Sequence, residues 1–164
     1  MSLRPPREAS RADIPEIHAM ICELAEYERS LHEVRASTAQ LEEALFGASP
    51  AVFSHVVEAP EGGGRLAGFS LWFLNYSTWL GVHGVYLEDL FVRPEYRKLG
   101  AGRALMKAIA RVCVERGYGR FEWSVLDWNT PAIDFYRSLG ASGMDEWTVH
   151  RVTGDDLVTL ARED

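Results

Sequence analysis

Three features of the sequence predict an α/β domain with a mixed sheet. Strand-like runs follow one another from residue 51 to residue 92, helix and strand patterns alternate beyond residue 100, and a Gly-rich turn, EGGGR at 61–65, joins two of the strand runs as a hairpin. Consecutive strands pair antiparallel, whereas a strand–helix–strand crossover pairs parallel. The order β-α-α-β-β-β-α-β-α-β therefore gives a mixed central sheet flanked by helices. A chain of 164 residues fits a single domain over 1–164.

The first strand is expected near Leu3–Glu8, where two prolines weaken it. Ser10 and Asp13 are both candidate N-caps for a helix whose apolar side is Ile14, Ile17, Ile21 and Leu24; Asp13 and Glu16 read as a capping-box variant. Ser37, with Gln40 three residues on, caps a short second helix carrying Leu41 and Leu45 on one side. Strands follow at 51–58, 65–76 and 82–92. From Gly100 to Arg116 the spacing of Leu105, Ala108, Ile109 and Val112 is helical, and Gly117 can end that helix. A strand is expected at 121–126. Asn129 or Thr130 then caps a helix with Pro131 in its first turn, which Gly140 stops. Trp147–Val152 reads as a last strand, with a final helical turn near Asp155–Ala161.

Composition narrows the function. Acidic residues outnumber basic ones 24 to 17, for a net charge of −7. That argues against a nucleic-acid partner, which needs a basic face, and suits a cationic one. No apolar run approaches the ~20 residues of a membrane span, and MSLRPPREAS lacks the apolar core of a secretory leader. Cys22 and Cys113 lack metal-like spacing and read as reduced thiols of a cytoplasmic protein. The five histidines form no metal motif, so no metal is expected.

The run RPEYRKLGAGRAL at 93–105 combines basic residues, Gly-x-Gly and a helix start. Free N–H groups and the positive dipole end of a helix favour an anion there. It is not a P-loop, because no Lys-Ser/Thr follows the glycines. Nor is it a dinucleotide fingerprint, because Leu105 stands where the third Gly is required.

YLEDLFVRPEYRKLGAGRAL, followed later by LDWNTPAIDFYRSLGA, resembles the GNAT superfamily of acyl-CoA-dependent N-acetyltransferases. The resemblance covers essentially the whole chain. ELAEYE, YSTW, YLEDLFV, NTPAIDFY and GAS are most similar to the diamine (spermidine/spermine) and thialysine branch. It implies acetyl-CoA as cosubstrate, a small amine as acceptor, direct attack through a tetrahedral intermediate, and a homodimer. Arg97, Lys98, Leu99, Gly100, Ala101, Gly102 and Arg103 then form the pyrophosphate turn. Main-chain groups of Leu90, Phe91 and Val92 pair with the pantetheine arm, and Asn129, Ala132 and Tyr136 of the later helix complete the donor site. Lys98 occupies a place where relatives of this kind often carry Gly, so its side chain is expected to swing outward.

The chemistry asks for a base, support for an oxyanion, and help for a leaving thiolate. An alkyl amine of pKa ~10.4 is neutral in roughly one molecule in 10³ at pH 7, a cost of about 4–5 kcal/mol. Glu88 and Asp89 interrupt an otherwise apolar strand, and strand alternation sends them to opposite faces. By the resemblance Glu88 is the base, acting through a water, and Asp89 lines the amine site or supports the structure. Tyr136 is the general acid toward sulfur. Tyr27 and Glu28 face the amine, as does one of Asp145 and Glu146 beside Trp147. Ser77-Thr78-Trp79, as in the thialysine type, stands where polyamine enzymes of the branch carry Asp-Pro. The expected acceptor is accordingly a lysine analogue or short diamine. Long polyamines come second, and a non-catalytic acyl-CoA sensor on the same fold is the alternative from another class.

Overall fold

The computed structural model describes residues 3–162, which fall into two units divided after Ser124. The first unit is a five-stranded sheet in the order β1-β2-β3-β4-β5. Strands β1 (Arg7–Glu8), β2 (Phe53–Glu58), β3 (Leu66–Ser77) and β4 (Val82–Val92) pair antiparallel. Strand β5 (Phe121–Trp123) lies parallel to β4. The EGGGR turn joins β2 to β3 with positive φ at Gly62, Gly63 and Gly64, a region that costs glycine no steric clash. Pro5 and Pro6, which cannot donate to a ladder, hold β1 to two residues.

Helices α1 (Ile14–Tyr27) and α2 (Thr38–Phe46) cover one sheet face. Ile14, Ile17, Met20, Leu41 and Leu45 are buried there against Val56, Phe69, Leu71 and Phe91. Helix α3 (Ala101–Arg116) covers the other face, where Ala101 and Leu105 meet Val57, Ala59, Ala67 and Tyr96. The Ser37 cap forms as its spacing predicts, with Oγ accepting from the Gln40 N–H at 3.2 Å. At α1 the capping differs. Asp13 reaches back to the Ser10 N–H at 2.7 Å, across a 3-10 turn at Arg11–Asp13. Glu16 is drawn away instead to the Leu66 N–H at 2.9 Å and to Arg93 at 2.6 Å.

Arg93, at the end of β4, is the buried polar joint of this unit. Its guanidinium is 3% exposed and bonded through all three nitrogens: the two Glu23 oxygens, Glu16 and the Leu66 carbonyl all accept from it. A buried cation is tolerable only when paired in this way. The bonds fix α1 against the end of β4.

His55 is a second buried polar group. Its Nδ1 accepts the Trp72 indole N–H at 3.2 Å. An indole only donates, so this imidazole is neutral with its proton on Nε2. Burial pushes its pKa below the ordinary 6.5. The unfolded chain therefore takes up a proton more readily than the folded one. Stability is intact above about 6.5 and is lost as pH falls through that value toward the folded pKa. Melting followed by circular dichroism should show the Tm of the wild type falling relative to that of His55→Phe between about pH 7 and pH 5. The same slope in both proteins would refute this role.

The second unit holds α4 (Thr130–Arg137) and α5 (Gly154–Leu160). The strand expected at Trp147–Val152 does not form. Trp147 closes a turn, its N–H on the Met144 carbonyl at 3.0 Å, and residues 148–153 have no regular structure. A strand needs a partner edge, and Trp147 and Val149 lie 69% and 80% exposed. Their apolar side chains are not buried, so the pattern gains no packing that would hold an extended strand. The observed sheet thus has five strands rather than six. Among the described residues no helix is long and apolar enough to cross a membrane.

Candidate active site

The site begins with an irregularity in β4. Phe69 pairs with Phe91, Leu71 with Asp89, and Trp72 with Leu87, which leaves Glu88 without a partner on β3. This is a β-bulge, one extra residue on one strand. It alters which way the two carboxylates face. Leu71 belongs to the apolar cluster under α1 and α2, and residues opposite each other on a ladder share a face, so Asp89 points to that face. Trp72 lies on the other face, as does its partner Leu87, and counting one residue on from Leu87 turns Glu88 toward α1. Both carboxylates therefore stand on one side of the sheet. The expectation from plain alternation, opposite faces, is overturned because the bulge resets the period.

Glu28 joins them from the end of α1. Asp89 is half-buried, and its pKa is pushed up to about 7 by burial first, then by the negative charges of Glu88 and Glu28. Burial also raises Glu28. Glu28 lies at the C-terminus of α1, where the last carbonyls carry partial negative charge. Three carboxylates and a helix C-terminus give this place an excess of negative charge, suited to a cation. Glu88 is exposed to solvent, as a base working through water requires. Glu23, from the same acidic run, is held by Arg93.

Beside this cluster β4 has an edge that no strand among the described residues covers. Strand β5 pairs only with Val85, Tyr86 and Leu87. The Arg93 N–H bonds the Ala67 carbonyl on β3 at 3.0 Å. Successive residues of a strand turn their main-chain groups to opposite edges, so Leu90 and Val92 present theirs to the open side. The main chain of Phe91 faces β3, and its buried ring is what it offers the α1 face. Leu90 and Val92 thus present main-chain groups at this edge, and Phe91, expected with them, does not.

The Arg97–Gly102 turn follows. Lys98 has φ +64 and Gly100 φ +87. A left-handed Lys is uncommon, and it explains why Gly suits this place; the Lys98 side chain is exposed. Gly100 caps α3, whose first internal bond runs from the Ala104 N–H to the Gly100 carbonyl at 2.9 Å. The N–H groups of Ala101 and Gly102 before it have no helical acceptor and sit at the positive dipole end. Leu99 and Arg103 are exposed beside them. Arg97 takes a different course. Its Nε donates to the Val92 carbonyl at 3.0 Å, and its guanidinium lies over the rings of Tyr27 (5.6 Å) and Phe91 (5.8 Å).

In the second unit Asn129 Oδ1 accepts from the Ala132 N–H at 3.4 Å, capping α4. Tyr136 is half-buried in the last turn of α4, its ring 5.3 Å from that of Phe135. Glu146 and Trp147 lie in the exposed turn after residue 143. Among the described residues no group of three His, Cys, Asp or Glu side chains could hold a metal ion. Arg93 is the site-building residue that sequence reasoning misses. Nothing in the spacing distinguishes a buried arginine just past a strand from a solvated one.

A family model described as the acetyltransferase (GNAT) family matches residues 16–141. The thialysine N-epsilon-acetyltransferase of Sus scrofa is 38% identical to this chain, covering 94% of the chain and 95% of that protein. An L-ornithine N5-acetyltransferase of Arabidopsis thaliana is 35% identical, covering 94% and 86%. Among solved structures, an integron cassette protein from the mobile metagenome of V. cholerae superposes with a TM-score of 0.79 at 24% identity. It covers 99% of both chains, a likeness of fold.

Proposed function

The chain belongs to the acetyltransferase (GNAT) family, and we propose that this N-acetyltransferase, one domain over 1–164, moves the acetyl group of acetyl-CoA to a primary amine of a short cationic acceptor, a lysine analogue or ornithine-like amino acid. One observation carries the choice of acceptor: the bulge that turns Glu88 and Asp89 to the same face as Glu28. Three carboxylates fit a small cation, and the relatives that act on thialysine and ornithine support that class.

The residues of β4 and α3 fit the donor. Leu90 and Val92 offer main-chain groups on an open edge, as a strand-like amide arm requires, and the start of α3 offers N–H groups to a diphosphate. The thioester supplies an acyl carbon. Attack by the neutral amine forms the C–N bond and breaks the C–S bond, with a thiolate leaving. Asp89 and Glu28 hold the acceptor as its ammonium. Glu88 takes the proton through a water so that the nitrogen lone pair is available. A main-chain N–H of Leu90 or Val92 supports the oxyanion. Tyr136 gives a hydrogen bond to the departing sulfur, and Asn129 and Ala132 border the arm. The reading includes a cytoplasmic homodimer, which suits the unpaired thiols and the exposed apolar side chains of residues 144–160.

The test is a panel of thialysine, lysine, ornithine, putrescine, spermidine and spermine with acetyl-CoA, followed by free thiol. Thiol release should depend on the amine, with kcat/KM higher for thialysine or ornithine than for spermine. Equal efficiency on spermine and thialysine would sink the ordering. Tight CoA binding with no turnover on any amine would make the protein a sensor instead.

A further inference from the structure

Arg97 stands where a phosphate ligand is expected, yet its guanidinium is turned inward. Its Nε donates to the Val92 carbonyl at 3.0 Å, and the charge rests on the rings of Phe91 and Tyr27. Each contact belongs to a different part of the site. The Val92 carbonyl faces the open edge of β4, where an amide arm would seek an acceptor. Tyr27 is the last residue of α1, next to Glu28 of the carboxylate cluster. One exposed side chain thus ties the acceptor end of α1 to the donor edge of β4.

We propose that Arg97 is a positioning residue shared by both halves of the site. Its cation–π contact holds Tyr27, and with it the end of α1, against β4, while its Nε occupies the Val92 carbonyl until an amide N–H of the donor displaces it. The inference rests on the reading that the donor lies along this edge. It differs from a phosphate contact in one measurable respect. A phosphate ligand acts only on donors that carry phosphate, whereas a side chain parked on the Val92 carbonyl acts equally on a donor that carries none.

Three proteins and two donors separate these cases: wild type, Arg97→Met and Arg97→Lys, titrated calorimetrically with acetyl-CoA and with S-acetylpantetheine. Both variants lack Nε, so both should bind S-acetylpantetheine more tightly, by about tenfold, the lower end of what a hydrogen bond to a charged group is worth. Lysine keeps a cation over Tyr27 and methionine does not. Arg97→Met should therefore raise the KM for the amine about threefold to fivefold with kcat little changed, and Arg97→Lys should leave that KM near wild type. Because Arg97 is exposed, losing its contacts should lower the Tm of either variant by only a few degrees. Unchanged S-acetylpantetheine affinity with weakened acetyl-CoA binding would make Arg97 a phosphate ligand and overturn the proposal. Weaker S-acetylpantetheine binding by both variants would overturn it too. A wild-type protein that binds neither donor removes the proposed function and this inference together; binding of both donors with no response to Arg97 removes the inference alone.

Discussion

Asp89→Asn should make the protein more stable at pH 8 while removing most of its activity toward the amine. The folded carboxyl titrates at about 7 instead of 3.8 because burial, Glu88 and Glu28 all oppose its charge. The folded state thus holds this proton more tightly than the unfolded one. Its contribution to stability is complete below 3.8, is lost as pH rises toward 7, and above 7 the fold carries an unfavourable charge. At about 1.4 kcal/mol per pH unit that interval sets a ceiling of ~4 kcal/mol, and access to water brings the expected gain for asparagine nearer ~2 kcal/mol. For a chain of this size that corresponds to roughly 4–8 °C in Tm at pH 8, shrinking toward pH 5. The cost falls on function. A cationic acceptor loses a charge-assisted partner worth ~1.5–3 kcal/mol, so kcat/KM for the amine should fall about 10- to 100-fold. The wild-type pH profile should also rise through about 7, a limb absent from the variant and separate from that of the amine near 10.4. A variant with wild-type kcat/KM and unaltered Tm would show that Asp89 is neither strained nor used.

Tyr136→Phe should lower kcat by ~10²-fold or more, the usual reach of a general acid, with the Kd for acetyl-CoA unchanged. An ordinary phenol at pKa ~10 protonates a thiolate at ~8.5 uphill by about 2 kcal/mol. A hydrogen bond that strengthens as charge builds on sulfur supplies the help without complete transfer, so the effect belongs in kcat rather than in donor binding. Tyr136 sits in the last turn of a helix fixed by the Asn129 cap, where the ring keeps its direction when only the hydroxyl is removed. A variant turning over at the wild-type rate would take Tyr136 out of the mechanism.

Local chemistry made much of this fold readable. Gly62–Gly64 announce a hairpin because few other residues accept three successive positive φ angles. Ser37 with Gln40, and Asn129 with Pro131, announce helix starts because their side chains replace missing helical partners. That Lys98 stands in a place for Gly was legible only through the resemblance, and its positive φ gives the physical reason. What escaped was set by distant partners. The bulge at Glu88 arises from pairing with β3, and no glycine or turn residue in YLEDLFV marks it. Arg93 is buried because Glu16 and Glu23, some 70 residues earlier, come to meet it. Trp147–Val152 suggests a strand by its residue types, but its apolar side chains stay exposed and no strand forms. For the bulge and for Arg93 the decisive contact lies far along the chain, beyond the reach of any periodicity.

The bulge has a consequence for how such a site diversifies. Leu87 and Asp89 carry the ladder to β3, so residue 88 belongs to the strand by sequence yet carries none of its pairing. On the proposed reading, a substitution there would change the base offered to the acceptor and leave the sheet's pairing as it was. Position 88 would then be a point of evolutionary latitude, where one codon retunes or silences the reaction in a protein that still folds.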